Sequence, residues 1–159
     1  SLVQGRKEMG YFNRKEKTID ECKKYMILID EAHKIINSNN ILAVEYLTNF
    51  EREARKYFGG LVFATQNIRD VAPNNLNDPI FEKIKTLFEL TQYKFIMKQG
   101  SNALNILKNV FEGQISDNEL NKIPYLEQGN CILSIDGLEN ILFNVEVTKE
   151  ELSLFGGGA

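Results

Sequence analysis

Two adjacent acidic residues follow a short apolar run near the start of the chain. Asp30 and Glu31 come directly after Tyr25-Met26-Ile27-Leu28-Ile29, a run typical of a strand buried on both faces of a parallel sheet. Two carboxylates at the end of such a strand are costly unless they hold a metal ion or a water molecule. The first acid could help to position Mg²⁺ while the second polarises an attacking water. The structural alternative is that the pair begins the next helix, where carboxylates favour the N-terminal dipole.

A polar amide follows a second apolar run. Leu61-Val62-Phe63-Ala64-Thr65 has the composition of another buried strand, and Gln66 comes next. Because ligands of open parallel sheets bind at the carboxyl ends of the strands, Gln66 becomes a candidate partner of the acidic pair. An amide at that edge could order a water near a γ-phosphate and report hydrolysis. Taken alone, a glutamine in this position is more often a loop residue.

The third candidate is a basic residue near the end of the helix predicted between these strands, from about Ile41 to Tyr57. Arg55 could act as an arginine finger on the nucleotide of a neighbouring subunit, an effect worth about 10³–10⁵ in rate. Arg52, one helical turn away, could take this part instead. The structural alternative is strong, because cations favour the C-terminal end of a helix and Glu51 lies at ion-pair spacing before Arg55.

A βαβ unit must position these three side chains. The intervening helix is predicted from apolar residues at spacings of 4, 3, 4 and 3, and Gly59-Gly60 should end it. Strand, helix and strand within about 40 residues indicate an α/β fold with a parallel sheet. The predicted buried face of the helix consists of Ala43, Leu47, Phe50, Ala54 and Tyr57.

The remaining chain alternates between predicted helices and strands. Asp78-Pro79 is a helix start, followed by apolar residues at helical spacing, although Thr86–Leu90 could equally begin a strand. Ser116 and Glu119 form a capping-box pattern that opens a short helix ending before Pro124. The other predicted elements are a strand at Tyr93–Met97, a helix capped by Ser101, and a hairpin of Cys131–Ile135 and Ile141–Val147 with its turn at Asp136-Gly137.

Composition narrows the class of protein. The 159 residues carry a formal net charge of −3, so stable nucleic-acid binding by this chain alone is disfavoured, although DNA contact within an assembly stays open. No apolar run is long enough to span a bilayer. The single histidine, His33, makes a zinc site improbable, and Cys22 and Cys131 are interpreted as reduced thiols in a cytoplasmic protein.

The order of these motifs resembles the FtsK/HerA superfamily of ring ATPases. The resemblance is carried by Asp30-Glu31-Ala32, by Arg55-Lys56 before Gly59-Gly60, and by Ala64-Thr65-Gln66. More narrowly, residues 50–61, 66–71 and 120–155 resemble the VirB/TraC-type ATPase of type IV secretion and conjugation systems, the fourth VirB component. The resemblance covers about residues 23–155.

The resemblance implies a partial RecA-like P-loop NTPase domain with a parallel sheet core flanked by helices, ending in a β-hairpin. Asp30 would be the Walker B acid that holds Mg²⁺ through water, Glu31 the catalytic base, Gln66 the sensor and Arg55 the trans-acting finger, with ATP as the nucleotide. The partners implied are other subunits of a homo-oligomeric ring, expected to be a hexamer, and secretion-channel components at the inner membrane face. The expected location is cytoplasmic and peripheral to that membrane.

One motif of the family is not found in this sequence. No Gly-x-x-x-x-Gly-Lys-Ser/Thr occurs, so the chain is expected to be a C-terminal fragment that lacks Walker A and is inactive alone. The expected organisation is a surface lead-in at 1–24, the C-terminal part of the ATPase domain at 25–155, and a flexible tail at 156–159.

Three alternatives accompany the secretion ATPase. The first keeps the fold and makes the protein a DNA-translocating FtsK/HerA-type coupling ATPase. The second is a non-enzymatic interaction module. The third is a helicase, because Asp30-Glu31-Ala32-His33 is a literal DEAH string; it is disfavoured because Arg69 is the only arginine after Gln66, and helicases of that class need an arginine-rich motif in a second domain.

Overall fold

The structure is a computed structural model that describes residues 23–73 and 75–156, apart from the side chain of Phe155. The chain divides into two compact units. The first runs to Thr91 and includes Asn109–Phe111, and the second comprises Gln92–Lys108 and the chain from Glu112 onward. The predicted lead-in and tail lie almost entirely outside the described residues, so the predicted domain boundaries stay predictions.

The first unit contains the predicted βαβ arrangement. β1 (Tyr25–Ile29) pairs in parallel with β2 (Gly59–Phe63), and α1 (Ile41–Ala54) connects them. α2 (Pro79–Leu90) follows, capped by the Asp78 side chain, which accepts a hydrogen bond from the backbone N–H of Ile80. The α/β fold class predicted from the sequence is therefore confirmed, and Thr86–Leu90 is helical.

One face of the two-stranded sheet is covered by the two helices. The ring of Tyr25 on β1 lies 6.4 Å from that of Phe50 on α1, and the ring of Phe63 on β2 lies 5.2 Å from that of Phe88 on α2 in an edge-to-face arrangement. These contacts fix the sheet against the helices. The side chains of the two helices buried in this layer are Val44, Leu47, Thr48, Phe50, Ala54, Ile80, Phe81, Ile84, Leu87 and Phe88.

The opposite face of this sheet is open, contrary to the prediction that β1 is buried on both faces. Met26 and Leu28 are 70% and 71% exposed, and Val62, the register partner of Leu28, is 40% exposed. Side chains alternate between the two faces of a strand, and among the described residues only one face has a covering layer. The continuous apolar run correctly predicted a strand but not its burial.

The boundaries between α1 and β2 also differ from the prediction. The α-helix ends at Ala54, and Arg55–Tyr57 form a 3-10 turn. Phe58, with φ of 59°, ends the turn in the left-handed region, a position that the sequence analysis gave to the glycine pair. β2 then begins at Gly59 rather than Leu61 and ends at Phe63, because Gly59 pairs with Tyr25 in the parallel register.

Gly59 is required because the ring of Tyr25 lies where a side chain would be. A Cβ at Gly59 would lie 2.6 Å from Tyr25 Cζ, whereas a Cβ at Gly60 would have nothing within 4 Å. We expect Gly59→Ala to lower the free energy of unfolding by about 1–3 kcal/mol, since the ring must move from its packed position. Gly60→Ala, the matched control in the same strand, should leave stability unchanged or slightly raised. Equal urea-unfolding midpoints for the two variants would contradict this assignment.

The second unit is built on an antiparallel sheet. β3 (Tyr93–Ile96) pairs with β4 (Asn130–Ile135), which pairs with β5 (Ile141–Asn144), so β4 is central. The predicted hairpin is confirmed, with its first strand one residue longer and its second three residues shorter than predicted, and its turn contains Gly137 at φ of 76°. The addition of β3 to the hairpin was not predicted.

Short helices complete the second unit. α3 (Leu104–Val110) follows a 3-10 turn at Ser101–Ala103 whose N-cap is Gly100, so Ser101 lies inside the turn and is not the predicted cap. α4 (Asp117–Lys122) opens with the predicted capping box.

In that capping box the Ser116 hydroxyl donates a hydrogen bond to the Glu119 carboxylate, and this bond lowers the pKa of Glu119. α5 (Lys149–Phe155), which was not predicted, has a second capping box from Thr148 and Glu151. No helix of the described residues is long and apolar enough to cross a membrane.

Candidate nucleotide site at the carboxyl ends of β1 and β2

Directly after β1, the backbone hydrogen bonding between the two parallel strands skips two residues. The N–H of Ala64 donates to the carbonyl of Ile29 at 2.9 Å, and the carbonyl of Ala64 accepts from the N–H of Ala32 at 2.8 Å. Ala64 therefore holds the chain on both sides of Asp30 and Glu31. The two acids are displayed at the carboxyl edge of the sheet, where ligands of parallel sheets bind.

Glu31 has a strained backbone conformation. Its φ and ψ are 51° and 46°, in the left-handed region that costs a non-glycine residue about 1–2 kcal/mol. The side chain of Asp30 contributes to this turn, since its Oδ1 accepts a hydrogen bond from the Glu31 N–H at 2.8 Å. Strain of this kind is typical of residues whose position is set by function rather than by stability.

The structure brings Gln66 directly to Glu31. Gln66 Nε2 donates a hydrogen bond to Glu31 Oε1 at 2.6 Å, across 35 positions of sequence. The loop that carries Gln66 is ordered by Asn67, whose side-chain oxygen accepts from the Arg69 N–H and caps the 3-10 turn Ile68–Asp70. Two of the predicted site residues are thus in contact, as parallel strands with a common carboxyl edge require.

His33 is a third member of this group that the sequence analysis did not assign to the site. It lies in the 3-10 turn Ala32–Lys34, and its Nδ1 is 3.2 Å from Glu31 Oε2. The side chains of His33 and Glu31 are each 28% exposed, and His33 Nδ1 itself is buried without a hydrogen-bond partner. The sequence signals were its position two residues after Glu31 and its place at the end of the Asp30-Glu31-Ala32-His33 string.

Arg52 and Arg55 do not take part in the contacts among Glu31, Gln66 and His33. Arg55 is exposed in the 3-10 turn after α1, and its guanidinium makes no ion pair or hydrogen bond to any described residue. Arg52 is also exposed and lines a polar groove of about 300 Å³ between α1 and α2, beside the ion pair of Lys83 and Glu45. The exposure of both arginines leaves either able to reach a second molecule.

Glu51 does not form the surface ion pair with Arg55 that its spacing suggested. Its Oε2 is buried without a hydrogen-bond partner, and burial raises the pKa of the carboxyl. The carboxylate is therefore directed into the unit and partly desolvated. This charge opposes folding at neutral pH because the unfolded state solvates it better.

We expect Glu51→Gln to raise the free energy of unfolding at neutral pH, by no more than about 1 kcal/mol because the side chain is partly open to solvent. A carboxyl with a raised pKa in the folded state destabilises the fold only where it is ionised. The gain should therefore disappear as the pH falls below the ordinary carboxyl range. Urea unfolding at several pH values measures it, with exposed Glu127→Gln as the control. A loss of stability in Glu51→Gln at neutral pH would show that the charge is favourably paired.

The carboxylate oxygens at this edge suit a magnesium ion that takes most of its ligands from water and substrate phosphates. No group of three His, Cys, Asp or Glu side chains in the described part of the chain could hold a metal by itself. Mg²⁺ commonly binds one or two protein carboxylates and completes its octahedron with water and substrate phosphates. The exposed carboxylate of Asp30 fits that chemistry.

A parallel βαβ unit that presents acidic and amide side chains at one carboxyl edge defines an α/β domain of the P-loop NTPase type. The chain belongs to the TraG P-loop domain family, whose sequence profile matches residues 8–157. It is also 33% identical over 160 residues to an uncharacterized protein of Bacillus anthracis. That alignment includes 99% of this chain but only 24% of the relative.

The fold is similar to that of VirB4 from Thermoanaerobacter pseudethanolicus. The match has a TM-score of 0.68 with 19% sequence identity, and it covers 94% of this chain and 39% of the VirB4 chain. The resemblance to the fourth VirB component, identified from the motif order, is thus confirmed at the level of the fold. The chain spans well under half the length of both relatives.

Proposed function

We propose that this chain forms the C-terminal part of an ATPase domain that energises assembly or substrate transfer in a type IV secretion or conjugation system. The observation that supports this most directly is the contact between Glu31 and Gln66 at the carboxyl edge of a parallel sheet. In a P-loop family, that edge is where the γ-phosphate and the attacking water are handled.

Each residue of the site has a proposed part in hydrolysis. Asp30 would hold Mg²⁺ through a water molecule. When bound, the metal ion would neutralise part of the phosphate charge. Glu31 would accept the proton of the attacking water at a carboxylate oxygen. Gln66, whose amide already reaches Glu31, would orient that water and respond when the γ-phosphate leaves.

The domain is proposed to act in a homo-oligomeric ring, with a hexamer expected. Arg55 would stabilise transferred charge on the nucleotide of the neighbouring subunit, or Arg52 would do so. Both arginines are exposed. A residue that acts on the nucleotide of a neighbouring subunit must be exposed when its own chain is separated from the ring. Secretion-channel components on the cytoplasmic side of the inner membrane are the proposed partners.

The phosphate-binding loop is proposed to come from another part of a longer polypeptide. The 159 residues contain no Gly-x-x-x-x-Gly-Lys-Ser/Thr sequence. Without its backbone N–H groups and lysine, the β- and γ-phosphates have no strong binding site. The isolated chain is therefore expected to bind ATP weakly and to turn over none.

Two measurements test this function. The polypeptide that includes both this chain and the phosphate loop should hydrolyse Mg-ATP at a rate indifferent to added DNA, whereas the isolated chain should show no turnover and no micromolar binding by calorimetry. Strong stimulation by DNA would favour a DNA translocase instead. Absence of hydrolysis by the complete polypeptide, alone or with its channel partners, would leave an interaction module and overturn the proposal.

A further inference from the structure

Both carboxylate oxygens of Glu31 face a nitrogen of another side chain. Oε1 accepts the hydrogen bond from Gln66, and Oε2 lies 3.2 Å from His33 Nδ1. The second contact is within donor–acceptor distance but is not a hydrogen bond in the structure, and His33 Nδ1 is buried without a hydrogen-bond partner. A small rotation of the imidazole would satisfy a buried polar atom that is costly to leave unpaired.

The backbone of His33 is held close to Glu31 by two hydrogen bonds. The N–H of Lys34 donates to the carbonyl of Glu31 at 3.0 Å, which closes the turn between the acid and the histidine. The carbonyl of His33 accepts from Asn37 Nδ2 at 2.7 Å. Because the turn is bonded on both sides of His33, the backbone that carries the imidazole is fixed next to Glu31.

We propose that His33 is a positioning residue for Glu31. The neutral imidazole, protonated on Nδ1, donates a hydrogen bond to Glu31 Oε2. Glu31 Oε1 is thereby kept directed toward Gln66. Fixing one oxygen removes rotational freedom from the other, and a correctly oriented base is a large part of catalytic efficiency. The assignment rests on the proposed function of Glu31 and adds to it a residue that acts through Glu31.

The tautomer of His33 tests the contact without any enzymatic activity. His33 is the only histidine in the chain, so its imidazole nitrogens give unambiguous signals in a long-range nitrogen–proton NMR experiment. At a pH where the ring is neutral, we expect the Nδ1–H tautomer in the natural chain. Glu31→Gly removes the acceptor at a position whose φ suits glycine, and it should shift the ring toward the Nε2–H tautomer. An Nε2–H tautomer in the natural chain would overturn the proposal.

Kinetics of the complete polypeptide test the consequence. We expect His33→Leu to lower kcat for ATP about tenfold, the effect of one lost hydrogen bond to a charged group, with little change in KM. His33→Asn, whose amide nitrogen can replace Nδ1, should restore most of kcat. Equal losses in both variants, or a rise in KM alone, would indicate a structural role and contradict the proposal. If the unmodified polypeptide has no ATPase activity, the proposed function fails, and the NMR result still decides whether His33 holds Glu31.

Discussion

Replacement of Glu31 by glutamine is expected to lower the rate of ATP hydrolysis about 10²–10⁴-fold in the complete polypeptide. Glutamine is nearly the same size, and its side-chain oxygen can still accept the hydrogen bond that Gln66 Nε2 donates. The variant therefore keeps the contact with Gln66 and removes the proton acceptor, together with the oxygen that faces His33 Nδ1. Nucleotide should remain bound, so the variant should retain ATP through gel filtration while the unmodified protein releases ADP.

A matched control separates this effect from a general loss of charge. Glu139 is exposed in the second unit, and Glu139→Gln should leave both turnover and nucleotide retention unchanged. Single-turnover measurements report the chemical step directly, so slow product release cannot imitate the result. Turnover by Glu31→Gln within a few-fold of the unmodified rate would remove Glu31 from the chemistry and redirect the search to Asp30.

Truncation of Leu47 to alanine should lower the free energy of unfolding of the chain by about 2–5 kcal/mol. Leu47 is 8% exposed on the face of α1 that covers the sheet, so the substitution leaves a cavity in the layer that supports β1 and β2. Loss of that support should also loosen the carboxyl edge where Glu31 and Gln66 meet. Urea unfolding followed by far-UV circular dichroism measures the change.

The control lies on the same helix and uses the same substitution. Leu42 is 80% exposed, and Leu42→Ala should change stability by no more than about 0.5 kcal/mol. The difference between the two leucines isolates burial from helix propensity, which is identical for the pair. If Leu42→Ala is as destabilising as Leu47→Ala, the open side of α1 is covered in solution.

Much of the first unit could be predicted from local pattern alone. The Asp78-Pro79 start of α2 and the helical spacing of the apolar residues after it are confirmed, because cap chemistry and helical periodicity are local properties. The α1 face was partly wrong: Val44 and Thr48 are buried, while Ala43 and Tyr57 are only half-buried. The helix ends at Ala54, three residues earlier than predicted, and the 3-10 turn after it ends at a left-handed Phe58 that no propensity rule would select.

Properties that depend on distant neighbours were the ones missed. An apolar run cannot tell how many layers cover a strand, so the exposure of Met26 and Leu28 was unpredictable. The pairing of β3 with β4 joins segments separated by more than 30 residues, and short-range turn signals carry no information about it. α5 was missed although its Thr148 and Glu151 form the same capping pattern that correctly predicted α4.

The approach of Gln66 to the acids could be predicted from the sequence, but the approach of His33 could not. The rule that parallel strands share a carboxyl edge placed Gln66 near the acids, and the structure shows a direct hydrogen bond to Glu31. The approach of His33 to the Glu31 carboxylate depends on the left-handed turn at Glu31, and no sequence pattern predicts that turn. The roles of Asp30, Glu31, Gln66 and Arg55 in hydrolysis stay predictions, since the hydrogen bond between Glu31 and Gln66 shows that the two lie together and not what they do.

If Glu31 is the base, as proposed, the left-handed backbone at position 31 also sets stability and activity against each other. A glycine there would relieve about 1 kcal/mol of strain while deleting the carboxylate. Selection for a more thermostable chain would therefore favour loss of the acid, and selection for turnover would restore it. Engineering that ranks substitutions by folding energy alone would recommend disabling this site, so position 31 should be held fixed in any stabilisation of the domain.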